Sequence, residues 1–255
     1  MPMSGMIQTS ANRQPATLRM SGMLRAETLF PSAAYAVLAI ADSVAAGKSG
    51  TAARRLRYVV KPLLMPALAT AFLTGTRGRS ARADNLLHTG TAVAQAFSWA
   101  GDVALLGTSK RSFLTGVGSF FGAHVAYMTA FLSVRGQGKD YDTAGLKVAL
   151  GLWLTAAPVL SVAAGRKDPA LRGPVAAYVT VLSGMFATTR MLDPALPQGA
   201  RRTLQAGTAL FLVSDSVLAV QRFLLAETRP VLGSVVMTTY TAGQGLIATG
   251  VASTT

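Results

Sequence analysis

Eight apolar runs, most of them near the length that crosses a bilayer, follow one another along 255 residues with only short links between them. A transmembrane helix needs about 20 mostly apolar residues. Almost no segment here alternates apolar and polar faces as a helix on a soluble surface must. Hydrophobic residues make up 51% of the chain and charged residues 13%, where a soluble domain carries about 25% charge. The reading is an all-α, polytopic membrane bundle of about eight transmembrane helices, with the cell (plasma) membrane as its expected location. A soluble all-helical core is the plain alternative, and it lacks the polar faces it would need.

The spans are expected at about Leu29–Ala46, Tyr58–Thr74, Leu87–Leu106, Phe113–Val134, Leu146–Ala164, Gly173–Met191, Thr203–Leu225 and Val231–Val251. They form one domain over 29–252, since the links are too short for a second. Residues 1–28 read as a disordered basic tail with Arg13, Arg19 and Arg25 and no signal peptide, because the first long apolar run starts near Leu29. Pro158 is expected to kink the fifth span. An even number of spans puts both termini on one side. Equal numbers of Lys and Arg fall on the two sides, so the positive-inside rule does not orient the chain. The basic tail inclines the reading to cytoplasmic termini.

The net charge is +14. Lys and Arg sit mainly in the gaps between apolar runs, where they meet lipid headgroups. No basic stripe interleaves with aromatics, so nucleic acid is not an expected partner. The absence of cysteine removes disulfides and thiolate nucleophiles, and two histidines make a zinc site improbable.

Against this apolar background, intramembrane polar residues stand out. FSWAGDVALL carries Asp102 and ALFLVSDSVLAV carries Asp215. A charge at the centre of a span costs about 2.5–3.5 kcal/mol on insertion scales, so two such aspartates point to a shared polar site. The competing reading is a buried ion or hydrogen-bond pair that only holds helices together. Lys61 opens the second span and reads either as a site residue or as a lysine snorkelling to headgroups. His124 and Tyr127, three apart, share a helix face, as do Tyr240 and Gln244, four apart. Tyr127 and Tyr178 also read as interfacial anchors, and Gln244 as a bond between helices. Gly118 and Gly122 form GxxxG, a pattern for close packing. GT followed by FSWAGD in the third span and GT followed by FLVSD in the seventh hint at a worn four-plus-four duplication.

Together these stretches resemble a known family. KPLLMPAL, FSWAGDVALL, GVGSFFGAHVAYMTAF, VAAYVTVLSGMFA, LFLVSDSVLAV and TTYTAGQGLIATG are similar in order and content to the YhhN-like lysoplasmalogenases, over about Tyr58 to Gly250. The resemblance implies an eight-helix membrane hydrolase without cofactor. Its substrate would be a lysophospholipid, whose vinyl-ether bond is cleaved to a fatty aldehyde and glycerophosphoethanolamine or glycerophosphocholine.

The residues suit that chemistry. Enol-ether hydrolysis protonates the β-carbon, forms an oxocarbenium ion and adds water. One carboxyl must hold a proton and one must act as base or stabilise the cation. Asp102 and Asp215 are expected as this catalytic pair, with neither assigned as the acid. Lys61 is expected to bind the lipid phosphate or keep one aspartate ionised. His124, Tyr127, Tyr178, Tyr240 and Gln244 are expected to line the cavity and orient substrate and water. A transporter or lipid-flipping protein using the aspartates as ion sites is the rival, and it predicts broken helices at matched places in the two halves. No serine stands in a GxSxG frame.

Overall fold

A computed structural model describes residues 14–77, 85–227 and 229–254. Eight helices cover most of these: α1 Gln14–Ala46, α2 Thr51–Gly75, α3 Asn85–Ala104, α4 Lys110–Leu132, α5 Thr143–Lys167, α6 Arg172–Thr188, α7 Gln198–Ala219 and α8 Pro230–Ala252. Short 3-10 turns at Gly138–Asp140 and Pro169–Leu171 lie in links, and a π turn, Val220–Leu224, closes α7. No strand occurs among the described residues.

The helices match the expected spans, most ends shifted outward or inward by up to seven residues. One boundary moves further. α1 begins at Gln14, so residues 14–27 are helical where a tail was expected. The rest of that tail, and Arg79 and Arg82, lie outside the described residues.

Local chemistry accounts for the ends. The Ser109 hydroxyl accepts from the Ser112 amide at the start of α4, and the Asp142 carboxylate accepts from the Gly145 amide at the start of α5. Both satisfy a helix N-terminal N–H that has no partner within its helix. Gly50, before α2, has φ 118°, a conformation that disfavours any side chain.

Each odd helix packs on the even helix that follows it. α1 also meets α8, α4 meets α6, and both α2 and α3 touch α8. The tightest crossing is between α7 and α8. A Cβ on Gly207 would come within 2.9 Å of the Gly243 carbonyl oxygen, and one on Gly243 within 2.8 Å of the Gly207 oxygen. Only residues without a side chain let two backbones meet this way. The expected GxxxG does not form such a crossing. Gly122 lies against the Phe97 ring, but Gly118 has open space where its partner helix would be.

Two prolines in α2 create a need that α3 meets. Pro66 has no N–H, so the carbonyl of Pro62, four residues before it, loses its helical donor. The indole Nε1 of Trp99 donates to that carbonyl at 3.0 Å. Tyr58, whose own carbonyl faces Pro62 in the same way, donates its hydroxyl to the Leu106 carbonyl at 3.0 Å. The KPLLMP and FSWAGD stretches are therefore bonded to each other, and this holds Lys61 beside Asp102.

Five segments are long and apolar enough to cross a membrane: Thr28–Ala46, Thr51–Gly75, Thr143–Lys167, Pro169–Thr188 and Gln198–Leu224. The chain is a helical membrane bundle. α3, α4 and α8 fall outside this group, and α3 alone buries His88, Thr91, Gln95, Ser98 and Asp102. Pro31, Pro62, Pro66 and Pro158 all lie inside continuous helices, so the matched helix breaks of the transporter reading are not seen among the described residues.

Candidate functional site

Asp102 and Asp215 both lie near the C-terminal ends of odd-numbered helices, α3 and α7. These helices run in the same direction, so the two carboxylates approach the same end of the bundle, opposite the termini. They are not in one hydrogen-bonded group.

Asp102 is sealed. Its Oδ1 lies 2.7 Å from the Lys61 ammonium, and its Oδ2 accepts from the Tyr240 hydroxyl at 2.8 Å. The side chains of Lys61 and Asp102 retain 6% and 2% of their surface. Lys61 also contacts the Met237 sulfur at 3.4 Å and stands 5.7 Å from the centre of the Tyr240 ring. A buried pair of this kind survives because each charge offsets the other's loss of water. The expectation that Lys61 reaches a lipid phosphate does not fit this placement; of the two roles expected for it, companion to an aspartate is the one its geometry matches.

Asp215 has different company. Its Oδ2 accepts from the Tyr178 hydroxyl at 2.5 Å and lies 3.7 Å from His124 Nε2. His124 Nδ1 is 2.5 Å from the Phe120 carbonyl oxygen. A carbonyl only accepts, so Nδ1 carries the hydrogen and Nε2 of the neutral ring is a bare acceptor. Nε2 is buried and has no hydrogen bond. Two acceptors facing each other need one proton between them, on the carboxyl or on the ring.

Aromatic rings separate the two groups. Phe211 stands 5.3 Å from Tyr240 and 4.9 Å from His124, and Phe120 stands 5.7 Å from Tyr240, all edge to face. Gly101 permits this wall: a Cβ there would fall 2.7 Å from the Phe120 ring.

Asp215 and Tyr178 line an apolar cavity that is open on one side. Its walls come from α4, α5, α6 and α7, with Phe120 at one side and Arg222 in the π turn. Asp102, Lys61, Tyr240, Tyr127 and Gln244 do not line it. Tyr127 is no interfacial anchor: it is fully buried and donates to Gln244 Oε1 at 2.5 Å. Gln244 Nε2 in turn donates to the Ser98 hydroxyl at 2.9 Å. These three tie α4, α8 and α3 together, which is the helix-bonding role also considered for Gln244.

Some polar residues escaped the sequence reading. Thr91, Gln95 and Ser98 are buried and fall on the same face of α3 as Asp102. The signal was available as helical spacing, i, i+4, i+7 and i+11, but each residue is unremarked alone. Both amide atoms of Gln95 lack a hydrogen bond. Tyr35, whose hydroxyl donates to the Thr241 carbonyl at 2.7 Å, was also missed. Among the described residues no three His, Asp or Glu side chains converge as metal ligands would.

The sequence model of the YhhN family matches residues 56–251. No curated protein and no solved structure gave a match.

Proposed function

The chain belongs to the YhhN family, and from that premise we propose that it is a lysoplasmalogenase-type hydrolase of the plasma membrane. It cleaves the vinyl-ether bond of a lysoplasmalogen to a fatty aldehyde and a glycerophospho-alcohol, glycerophosphoethanolamine or glycerophosphocholine. The family is associated with this activity. The observation that carries the reading is a carboxyl, Asp215, in the wall of an apolar cavity, with a tyrosine and an imidazole on one of its oxygens.

Tyr178 donates to Oδ2, which His124 Nε2 faces at 3.7 Å without a hydrogen bond, and Oδ1 has no bond to the protein. A proton on Oδ1 is delivered to the β-carbon of the vinyl ether. The α-carbon becomes an oxocarbenium ion, and the Asp215 carboxylate left behind faces that positive charge. Water adds to the α-carbon and gives a proton back to Asp215, forming a hemiacetal. Transfer of a proton from the hemiacetal hydroxyl to the ether oxygen breaks the C–O bond and releases aldehyde and alcohol. One carboxyl thus serves as acid and then as base, with Tyr178 holding its orientation and His124 Nε2 facing the oxygen that Tyr178 bonds. In this scheme Asp102 acts at a distance. Locked to Lys61, it fixes Tyr240, whose ring packs on the Phe120 and Phe211 wall.

The test is product analysis. The purified protein is given a lysoplasmalogen and its saturated ether analogue, and fatty aldehyde is assayed. Aldehyde from the vinyl ether alone is expected, and it disappears in Asp215→Asn. Absence of aldehyde from every lysoplasmalogen tried would overturn the reading.

A further inference from the structure

Arg222 has no carboxylate partner among the described residues. It sits in the π turn that closes α7, and it lines the same cavity as Asp215. Its guanidinium lies over the ring of Phe113, 4.8 Å from the centre. π turns inside or beside α-helices frequently mark functional positions, because the extra residue redirects side chains. Lys167, at the end of α5, donates its ammonium to the Arg222 carbonyl at 2.7 Å. This brings a second cation to the same rim. Of the carboxylates on the adjoining links, Asp168 is taken by Lys110, and Glu227 forms no ion pair with Arg222 among the described residues. The cavity mouth is therefore positive, while the walls below it are apolar except for Tyr178, Ser183, Asp215 and Ser216.

We propose that Arg222, with Lys167 beside it, is the binding site for the phosphate of a single-chain phospholipid whose hydrocarbon chain enters the cavity past Asp215. The proposal rests on the reading of Asp215 as the reacting carboxyl and adds the direction in which substrate lies. Lining residues on α7 and its π turn follow one another along the helix axis: Arg222 nearest the bundle end, then Asp215, then Leu212. Seven residues separate Arg222 from Asp215, a rise of about 10 Å along a helix. In a lysoplasmalogen the phosphorus and the β-carbon of the vinyl ether are about seven bonds apart, roughly 8 Å when extended at protein-like bond lengths. A phosphate on the guanidinium therefore brings the β-carbon to the level of Asp215. Arginine suits the task because its planar fork matches two phosphate oxygens, and stacking on Phe113 holds the fork in place.

The experiment measures equilibrium binding to the full-length protein in neutral detergent, with ligands that cannot be cleaved. The probes are a saturated alkyl lysophosphocholine, the matching alkylglycerol without phosphate, and inorganic phosphate. The wild-type protein is expected to prefer the phospholipid over the alkylglycerol by about tenfold, the scale of a charge-assisted contact. Arg222→Gln is expected to abolish that preference while alkylglycerol binding stays the same, and Arg222→Lys to restore part of it. Unchanged alkylglycerol binding also certifies that the Gln variant is folded. A preference kept in Arg222→Gln overturns the proposal. So does saturable binding of inorganic phosphate at Arg222 with no lipid binding, which would make the site one for a free anion. Because no probe is hydrolysed, a preference lost in Arg222→Gln supports the site even when lysoplasmalogen yields no aldehyde; that result would reject the hydrolase reading alone.

Discussion

The two aspartates occupy corresponding places and live in opposite surroundings. Asp102 on α3 is held by a residue of the preceding helix, Lys61 on α2, and by one from α8, Tyr240. Asp215 on α7 is held by a residue of the preceding helix, Tyr178 on α6, and by one from α4, His124. A shift of four helices carries α2, α3 and α4 onto α6, α7 and α8, so each aspartate is gripped in the same pattern. This gives the four-plus-four hint a spatial counterpart. The chemistry differs at two points. Lysine stands where the other copy has tyrosine, and tyrosine where it has histidine. Lysine neutralises Asp102 and closes its surroundings to 2% exposure, whereas Asp215 keeps 10% of its side-chain surface and faces the cavity. One copy of a common arrangement holds the bundle, and the other is available to a ligand.

The largest effect that would break or sharpen this contrast is on turnover. Asp215→Asn should lower the rate of aldehyde release by about 10³-fold, within the usual range for loss of a general acid, with the thermal midpoint nearly unchanged. If Asp102→Asn lost as much turnover while folding normally, the two aspartates would form one catalytic unit and the contrast would fail.

The next effect is on stability. Asp102→Asn leaves the Lys61 ammonium buried without its partner, which should cost about 3–5 kcal/mol. Unfolding in detergent with a denaturant series would measure it. The double change Lys61→Met with Asp102→Leu should recover most of that loss, since it removes both charges together. The same cycle with His124→Gln and Asp215→Asn should show a far smaller coupling energy.

The smallest effect lies at the cavity rim. The Lys110 ammonium, bonded to Asp168, holds that carboxyl below the usual aspartate range, with the Ala170 amide adding to it. A depressed carboxylate stabilises the fold above its unfolded value, about 3.9, and the contribution disappears as pH falls through the lower folded value. The protection factor of the Ala170 amide, its exchange rate relative to an unfolded chain at the same pH, should therefore fall slightly between about pH 5 and pH 2, the span over which paired carboxylates protonate. Asp168→Asn should abolish that pH dependence, and nothing at Asp102 should change with it.

The architecture was largely legible in the sequence. Apolar runs bounded by Gly, Pro and charged links located all eight helices, five of them long and apolar enough to cross a membrane by composition. Asp102, Asp215 and Lys61 were visible because charge is rare in such runs. Their pairing was not, because it depends on which distant helices meet. Nothing local ties Tyr240 to Asp102 across 138 positions of sequence. The Trp99 bond to Pro62 shows the opposite case: two prolines four apart predict an unpaired carbonyl, although not which residue supplies the donor. The cavity, the aromatic wall and the exposed position of Arg222 arise from packing alone.

Assembly order follows from where the polar partners reside. α8 comes after the other seven described helices in the chain, yet it supplies Tyr240 to Asp102 and Gln244 to both Ser98 and Tyr127. Until it emerges, α3 and α4 sit in lipid with donors and acceptors unmet, and neither belongs to the segments apolar enough to cross a membrane by composition alone. Biogenesis of this protein is thus not a sequence of independent insertions. The buried polar bonds of α3 and α4 close as a set only when α8 packs against them, so these three helices depend on one another more than on their own apolar character.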